Sequence, residues 1–236
     1  MSIPHSTFRI GGEKMQEHHI GVTRSARYFT LGDSSRGVGE VWFACHGYGQ
    51  LAGRFLEKLR VLDDGRRYLV APEGLSRFYL SESPTERRVG ASWMTREDRL
   101  AEIDDYVRYL DAVYADVFGS LARAQVTLHA LGYSQGASTV SRWAAMGNAL
   151  IDRLTLWGGE FPPDLDLNVE AIVSRLRGVR LALVYGRSDE YITPKVVQTI
   201  TARLRQHGIP FNEIPFDGGH ELNEAVLRTL GGETAR

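Results

Sequence analysis

Cysteine is almost absent from this 236-residue chain: Cys45 stands alone, so no internal disulfide can form. That excludes a disulfide-stapled secreted scaffold, and a lone thiol fits a reducing compartment, so the expected location is the cytoplasm. An excess of one charge is missing too. The 28 basic and 29 acidic residues leave a formal net charge of -1. Such a balance offers nucleic acid or an anionic membrane surface no electrostatic footprint. No apolar run approaches the roughly 18 residues of a membrane span. Residues 1–15 lack the basic stretch and apolar core of a secretory leader. Repeats, low-complexity tracts and linkers are also lacking. The expectation is therefore one domain over residues 1–236, with residues 1–17 as an N-terminal tail.

What remains is an ordinary globular composition, 43% hydrophobic and 24% charged, enough for one sizeable core. Residues 19–23 and 27–31 read as two short strands of an opening antiparallel hairpin. Residues 38–45 (VGEVWFAC) form an apolar run that predicts a buried strand, ending abruptly at His46-Gly47-Tyr48-Gly49. Helical spacing follows over 51–62, then a short strand over 68–71. Residues 73–96 form a long polar stretch without a period. A connection of that length inside a compact domain tends to be functional. Its aromatics Phe78, Tyr79 and Trp93, together with Tyr191, are the expected apolar lining of a site.

Apolar residues at three- and four-residue intervals predict a helix over 99–118, stopped by Gly119. Beyond it, strands are predicted at 126–131, 153–156, 181–185 and 211–216, and helices at 135–146, 195–207 and 221–230. Alternation of this kind implies an α/β fold, a mostly parallel sheet with helices on both faces and no large cap domain. Ligands then bind at the carboxyl ends of the strands.

Gly132-Tyr133-Ser134-Gln135-Gly136 lies between a predicted strand and a predicted helix, the context of a nucleophile elbow. Flanking glycines permit the close approach of strand and helix that such a turn requires. The plainer alternative is that Ser134 merely caps the helix. A serine nucleophile needs a base, and in a strand-turn-helix frame of this kind the order is Ser, acid, His. His220, in Phe216-Asp217-Gly218-Gly219-His220, fits that order. His129 falls inside a buried strand, and His46 precedes the serine and reads as a brace of its own loop. For the acid, Asp189 follows the strand at 181–185. Asp217 competes but lies only three residues from His220, and Asp164 and Asp166 are further options. The loop at His46 supplies one oxyanion donor, the Tyr48 N–H, and the Gln135 N–H supplies the other.

With these motifs in this order, the chain resembles the phospholipase/carboxylesterase branch of the α/β-hydrolase superfamily, over nearly its whole length. The resemblance rests on the H-G-Y-G loop at His46, G-Y-S-Q-G at Ser134, G-x-x-D at Asp189 and G-G-H at His220. It implies an α/β-hydrolase fold and a Ser134–His220–Asp189 triad hydrolysing esters through an acyl-enzyme. Small to medium acyl esters are the expected substrates. Lysophospholipids or acyl thioesters are the alternative, and a non-catalytic ligand-binding relative a remoter one. Residues 73–96 depart from the family's usual acyl-binding loop. The mechanism calls for no metal or cofactor, and Cys45 reads as a buried strand residue. The expected partner is a small-molecule ester, without nucleic acid or membrane insertion, and a homodimer is compatible with the sequence.

Overall fold

The structure is a computed structural model that describes residues 7–10, 13–35, 37–81, 83, 85 and 87–232. Its strands are β1 (Thr7–Ile10), β2 (Glu13–Gln16), β3 (Tyr28–Leu31), β4 (Glu40–Cys45), β5 (Arg67–Pro72), β6 (Ser76–Tyr79), β7 (Val89–Ser92), β8 (Thr127–Tyr133), β9 (Arg153–Trp157), β10 (Arg180–Gly186) and β11 (Phe211–Phe216). Its helices are α1 (Ala52–Lys58), α2 (Arg99–Phe118), α3 (Gln135–Met146), α4 (Glu170–Arg177), α5 (Pro194–Gln206) and α6 (Glu224–Leu230). Seven strands pair in the order β11-β10-β9-β8-β4-β5-β3. Every pair is parallel except β3 with β5. The mostly parallel α/β sheet expected from the alternation is therefore what forms.

The central strands β4 and β8 are buried on both faces, which explains why they read as continuous apolar runs. One face carries α2, α3, α4 and α5 over a large apolar cluster, and the other carries α1 and α6 over a smaller one. Helix α2 shows what holds these layers. It has no side-chain cap, yet buries Ile103, Tyr106, Val107, Leu110, Val113 and Val117 along one stripe. A cap contributes about 1 kcal/mol, whereas each buried apolar side chain contributes about 1.5–3 kcal/mol. Packing therefore fixes this helix. Among the described residues, no helix is long and apolar enough to cross a membrane.

Four sequence expectations need correction. Residues 19–23 form no strand, because Ile20 (87% exposed) and Val22 (80% exposed) meet no partner and Gly21 interrupts them. The strand predicted at 27–31 is β3, but it pairs with β5 and not with an opening hairpin. The periodless stretch 73–96 contains the antiparallel hairpin β6–β7. The last helix starts at Glu224, where the Asn223 side chain accepts the Val226 N–H at 3.1 Å, so His220 lies in the preceding loop. Helix α4 was not expected at all. The pairing of β1 with β2 falls within the segment read as a tail.

Glu73, directly after β5, ties the start of α1 to two arginines. Its carboxylate, 2% exposed, accepts from Arg27 Nε at 2.7 Å, Arg77 Nε at 2.8 Å and the Ala52 N–H at 3.3 Å. Burial by itself pushes this carboxyl up, but the hydrogen bonds of Arg27 and Arg77, the Arg27 charge and the Ala52 N–H outweigh it and hold its pKa below the ordinary value. A depressed carboxylate contributes stability above its unfolded-state pKa and loses it as pH falls through the folded-state value. Glu73→Gln is expected to lower stability by about 2 kcal/mol at neutral pH, since both arginines are half-exposed and can rehydrate. That is a Tm loss of about 5 °C, shrinking as the pH drops below the usual carboxylate range. Thermal melts of both proteins across acid pH measure it, and a constant gap would discount the charge.

Candidate active site

Strand β8 runs straight into α3 with only Ser134 between them, and the backbone takes φ 53°, ψ -118° there. A non-glycine residue in that region is strained, and the surrounding packing must hold it. The packing is tight: a Cβ at Gly136 would lie 2.1 Å from the Cys45 carbonyl oxygen, so only glycine lets α3 begin against the end of β4. The Ser134 N–H is itself fixed to the Trp157 carbonyl at 2.8 Å.

The sheet gathers the sequence-predicted residues at the carboxyl ends of its strands. Asp189 follows β10 and His220 follows β11, and they meet Ser134 in a continuous chain. His220 Nε2 lies 3.0 Å from Ser134 Oγ, and His220 Nδ1 lies 2.8 Å from Asp189 Oδ2. An ionised carboxylate only accepts, so Nδ1 carries the imidazole proton and Nε2 is left to accept the serine hydroxyl. The second Asp189 oxygen accepts the N–H groups of Tyr191 at 2.8 Å and Ile192 at 3.0 Å. Burial works to raise this carboxyl, but the Ile192 N–H, His220 and the Tyr191 N–H together hold it below the usual range. It stays charged.

The rejected candidates lie elsewhere. The Asp217 side chain is 95% exposed and pairs with Arg187 at 3.2 Å, Asp164 pairs with Arg142 and Arg99, and Asp166 caps its own turn at Asn168. His129 is buried against Thr155, and burial pushes its pKa down to about 3. His46 is fully buried: its Nε2 accepts the Gly74 N–H at 3.0 Å and its Nδ1 lies 2.8 Å from the Gly47 carbonyl. It braces the loop from inside and faces no substrate. Burial also pushes the Cys45 thiol up, well away from a reactive thiolate.

Residues 46–49 lie against Ser134, since a Cβ at Gly47 would meet Ser134 Cβ at 3.1 Å. Among the described residues, neither the Tyr48 N–H nor the Gln135 N–H has a hydrogen-bond acceptor. Gln135 opens α3, where helix N–H groups have no intrahelical partner, so this donor is available by geometry. The Gln135 N–H therefore stands unengaged next to Ser134, and the Tyr48 N–H stands unengaged in the loop packed against that serine.

The four aromatics expected to line a pocket divide. Tyr191 stands edge-on to the His220 ring at 4.8 Å and so borders the Ser134–His220 pair, whereas Phe78 packs on the exposed Tyr48 ring at 5.1 Å. Tyr79, next along β6 and 63% exposed, points to the opposite face of its hairpin from Phe78. Trp93 is 1% exposed and lies in the core beside His46. Sequence reasoning also missed supports for His220. The Tyr133 hydroxyl donates to the His220 carbonyl at 2.7 Å and the Trp157 indole N–H donates to the Glu221 carbonyl at 2.8 Å. Burial, aided by the Asp189 charge, pushes the Tyr133 phenol up to about 12, so it keeps that donor. The only available signal was position: each residue ends a strand at the carboxyl edge of the sheet.

Glu17, His19 and Asp98 bring ligand-type atoms within 4.8 Å of one another, outside this constellation. Sequence spacing hid them because Asp98 is 79 residues from His19. Contacts of His19 Nε2 with Glu17 at 3.4 Å and Asp98 at 3.1 Å account for the grouping.

No protein-family model and no curated protein sequence matches the chain. Solved structures do. Acyl-protein thioesterase 2 of Zea mays superposes with a TM-score of 0.67 at 17% identity, over 88% of this chain and 99% of that one. A carboxylesterase from Mesorhizobium loti gives 0.64 at 21% identity, over 89% and 95%. The Bacillus cereus carboxylesterase gives 0.59 at 14% identity, over 88% and 92%. The chain has the α/β-hydrolase fold, and these esterases and a thioesterase share it.

Proposed function

We propose that the chain is a serine hydrolase that cleaves carboxylic esters of small to medium acyl chains through an acyl-enzyme. The observation that carries this is the hydrogen-bonded run Asp189–His220–Ser134, with the serine strained at an elbow and the 46–49 loop packed against it. Its structural neighbours include carboxylesterases, which adds support.

In the first step His220 Nε2 takes the hydroxyl proton as Ser134 Oγ attacks the ester carbonyl. The carbonyl electrons move onto oxygen, where the Tyr48 and Gln135 N–H groups stabilise the charge. Collapse expels the alkoxide, which leaves with the proton from His220. Water then gives a proton to His220, attacks the acyl-serine carbonyl, and the second collapse returns the proton to Ser134 and frees the acid. Asp189 holds the imidazole orientation and offsets its transient positive charge.

The surroundings favour modest acyl groups. Tyr48 and Tyr191 are 60% and 63% exposed, so the apolar rim beside the serine is open. A groove of about 670 Å³ reaches His220 and Tyr133; Val61, Leu222 and Leu227 line part of it, but charged side chains such as Glu57, Lys58 and Arg228 line more, which favours short acyl groups over a long hydrocarbon. Hydrolysis of p-nitrophenyl esters from acetate to palmitate tests the proposal. Turnover is expected to peak between acetate and octanoate. A maximum at palmitate would transfer the site to lipid-like acyl groups. No turnover, with no labelling of Ser134 by a fluorophosphonate, would leave only a ligand-binding role.

A further inference from the structure

The two oxyanion donors belong to parts of the chain 87 residues apart, Tyr48 after β4 and Gln135 at the head of α3. Neither element alone sets their separation. One short segment, residues 91–94 at the end of the β6–β7 hairpin, touches both. Resting on the esterase reading of Ser134, we propose that this segment is a positioning clamp that holds the two donors in register, with Trp93 and the Gln135 side chain as its working parts.

On the Tyr48 side the clamp grips on both flanks of that residue. The Ala91 carbonyl accepts the Gly49 N–H at 2.9 Å, and the Ala91 N–H donates to the Gln50 carbonyl at 3.1 Å. Before Tyr48, the Trp93 indole N–H donates to the His46 carbonyl at 2.9 Å. On the Gln135 side the amide acts like a paired strand. Its Oε1 accepts the Trp93 N–H at 3.0 Å and its Nε2 donates to the Met94 carbonyl at 2.7 Å and lies 3.1 Å from Ser92 Oγ. Only an amide offers both a donor and an acceptor at one tip. Glutamate lacks the donor, and asparagine is one methylene short. Trp93 thus contacts both halves of the hole, through its ring on one and its backbone on the other. Buried as it is, the ring does not reach substrate, which sets it apart from Tyr191.

A positioning role of this kind affects the transition state and not the bound ester, because the oxyanion exists only after attack. Losing an oxyanion donor outright costs about 10²–10³-fold in kcat; a donor kept but misaligned should lose less, about tenfold. Trp93→Phe keeps an aromatic ring but removes the indole N–H, and Gln135→Ala removes the amide while retaining its backbone donor. Steady-state kinetics on p-nitrophenyl acetate and butyrate are expected to show kcat down about tenfold in each. KM should stay within twofold and the loss should be equal for both esters. Inhibition by phenylboronic acid, whose tetrahedral adduct with the serine carries the negative charge, should weaken in parallel with kcat.

Melting curves establish that each variant is folded, and Gln135→Ala, at a half-buried residue, carries the test if Trp93→Phe does not fold. Folded variants with kcat and boronate affinity unchanged would overturn the proposal, leaving the clamp as mere packing. A KM that rises with acyl length would overturn it in favour of substrate lining. A wild-type protein inactive on every ester, with Ser134 unlabelled by a fluorophosphonate, would fail the esterase reading itself and the clamp with it.

Discussion

Replacing Ser134 with alanine or with glycine is expected to abolish ester turnover, and the glycine variant should melt at the higher temperature. Loss of the nucleophile leaves His220 with nothing to deprotonate, so kcat should fall by on the order of 10⁵-fold or more. The stability order is the less obvious part. At an ordinary position glycine is less stable than alanine by about 0.5–1 kcal/mol, because its unfolded chain has more freedom to lose. Here the backbone sits at φ 53°, and alanine would keep the strain that serine bears. Strain of that kind is worth about 1–3 kcal/mol, so it outweighs the entropy term and favours glycine by about 1 kcal/mol. The corresponding gap in Tm is about 2–4 °C. Calorimetry on the two inactive proteins reads it directly. Alanine melting above glycine would mean that the elbow relaxes once the hydroxyl is gone.

Asp189→Asn should lower kcat by about 10⁴-fold with little change in KM. The asparagine oxygen can still accept from Tyr191 and Ile192, so the loop keeps its shape. Its amide nitrogen then faces His220 Nδ1 as a donor. The imidazole proton is driven to Nε2, where it no longer accepts from Ser134. Wrong tautomer, not wrong geometry, is the fault. Asp217→Asn is the matched comparison, an exposed carboxylate three residues from His220 and paired with Arg187, and kcat there should stay within twofold. The reverse pattern of losses would move the acid from Asp189 to Asp217.

The parts of this molecule that sequence made legible are those whose information is local. Helix α2 was readable to the residue because its buried stripe repeats every three or four positions and Gly119 follows. The elbow and the His220 loop were readable because glycines cluster around one reactive side chain. Helix α4 escaped because only Val173 and Leu176 of its eight residues are fully buried, too few to set a period. The β6–β7 hairpin escaped for another reason. Its inner strand, Val-Gly-Ala-Ser, pairs through its backbone with Gln50 as well as with β6, so no alternation marks it. The supports of the site were the least legible of all. Trp93 to His46, Gln135 to Met94 and Tyr133 to His220 each join residues more than 40 positions apart. Trp93 in particular reads as substrate lining from sequence, because an aromatic in a loop gives no hint of which way it turns.

Cys45 gives the molecule a built-in clock. It is the only thiol in the chain, fully buried at the end of β4 and one residue before the loop that faces Ser134. A thiol-trapping reagent reaches it only in moments when the middle of the sheet opens, so its labelling rate counts the native state's excursions. A reagent aimed at Ser134 counts the opposite, the molecules whose centre is closed. One polypeptide thus carries paired reporters for how often the framework around Ser134 comes apart and how often it stands assembled.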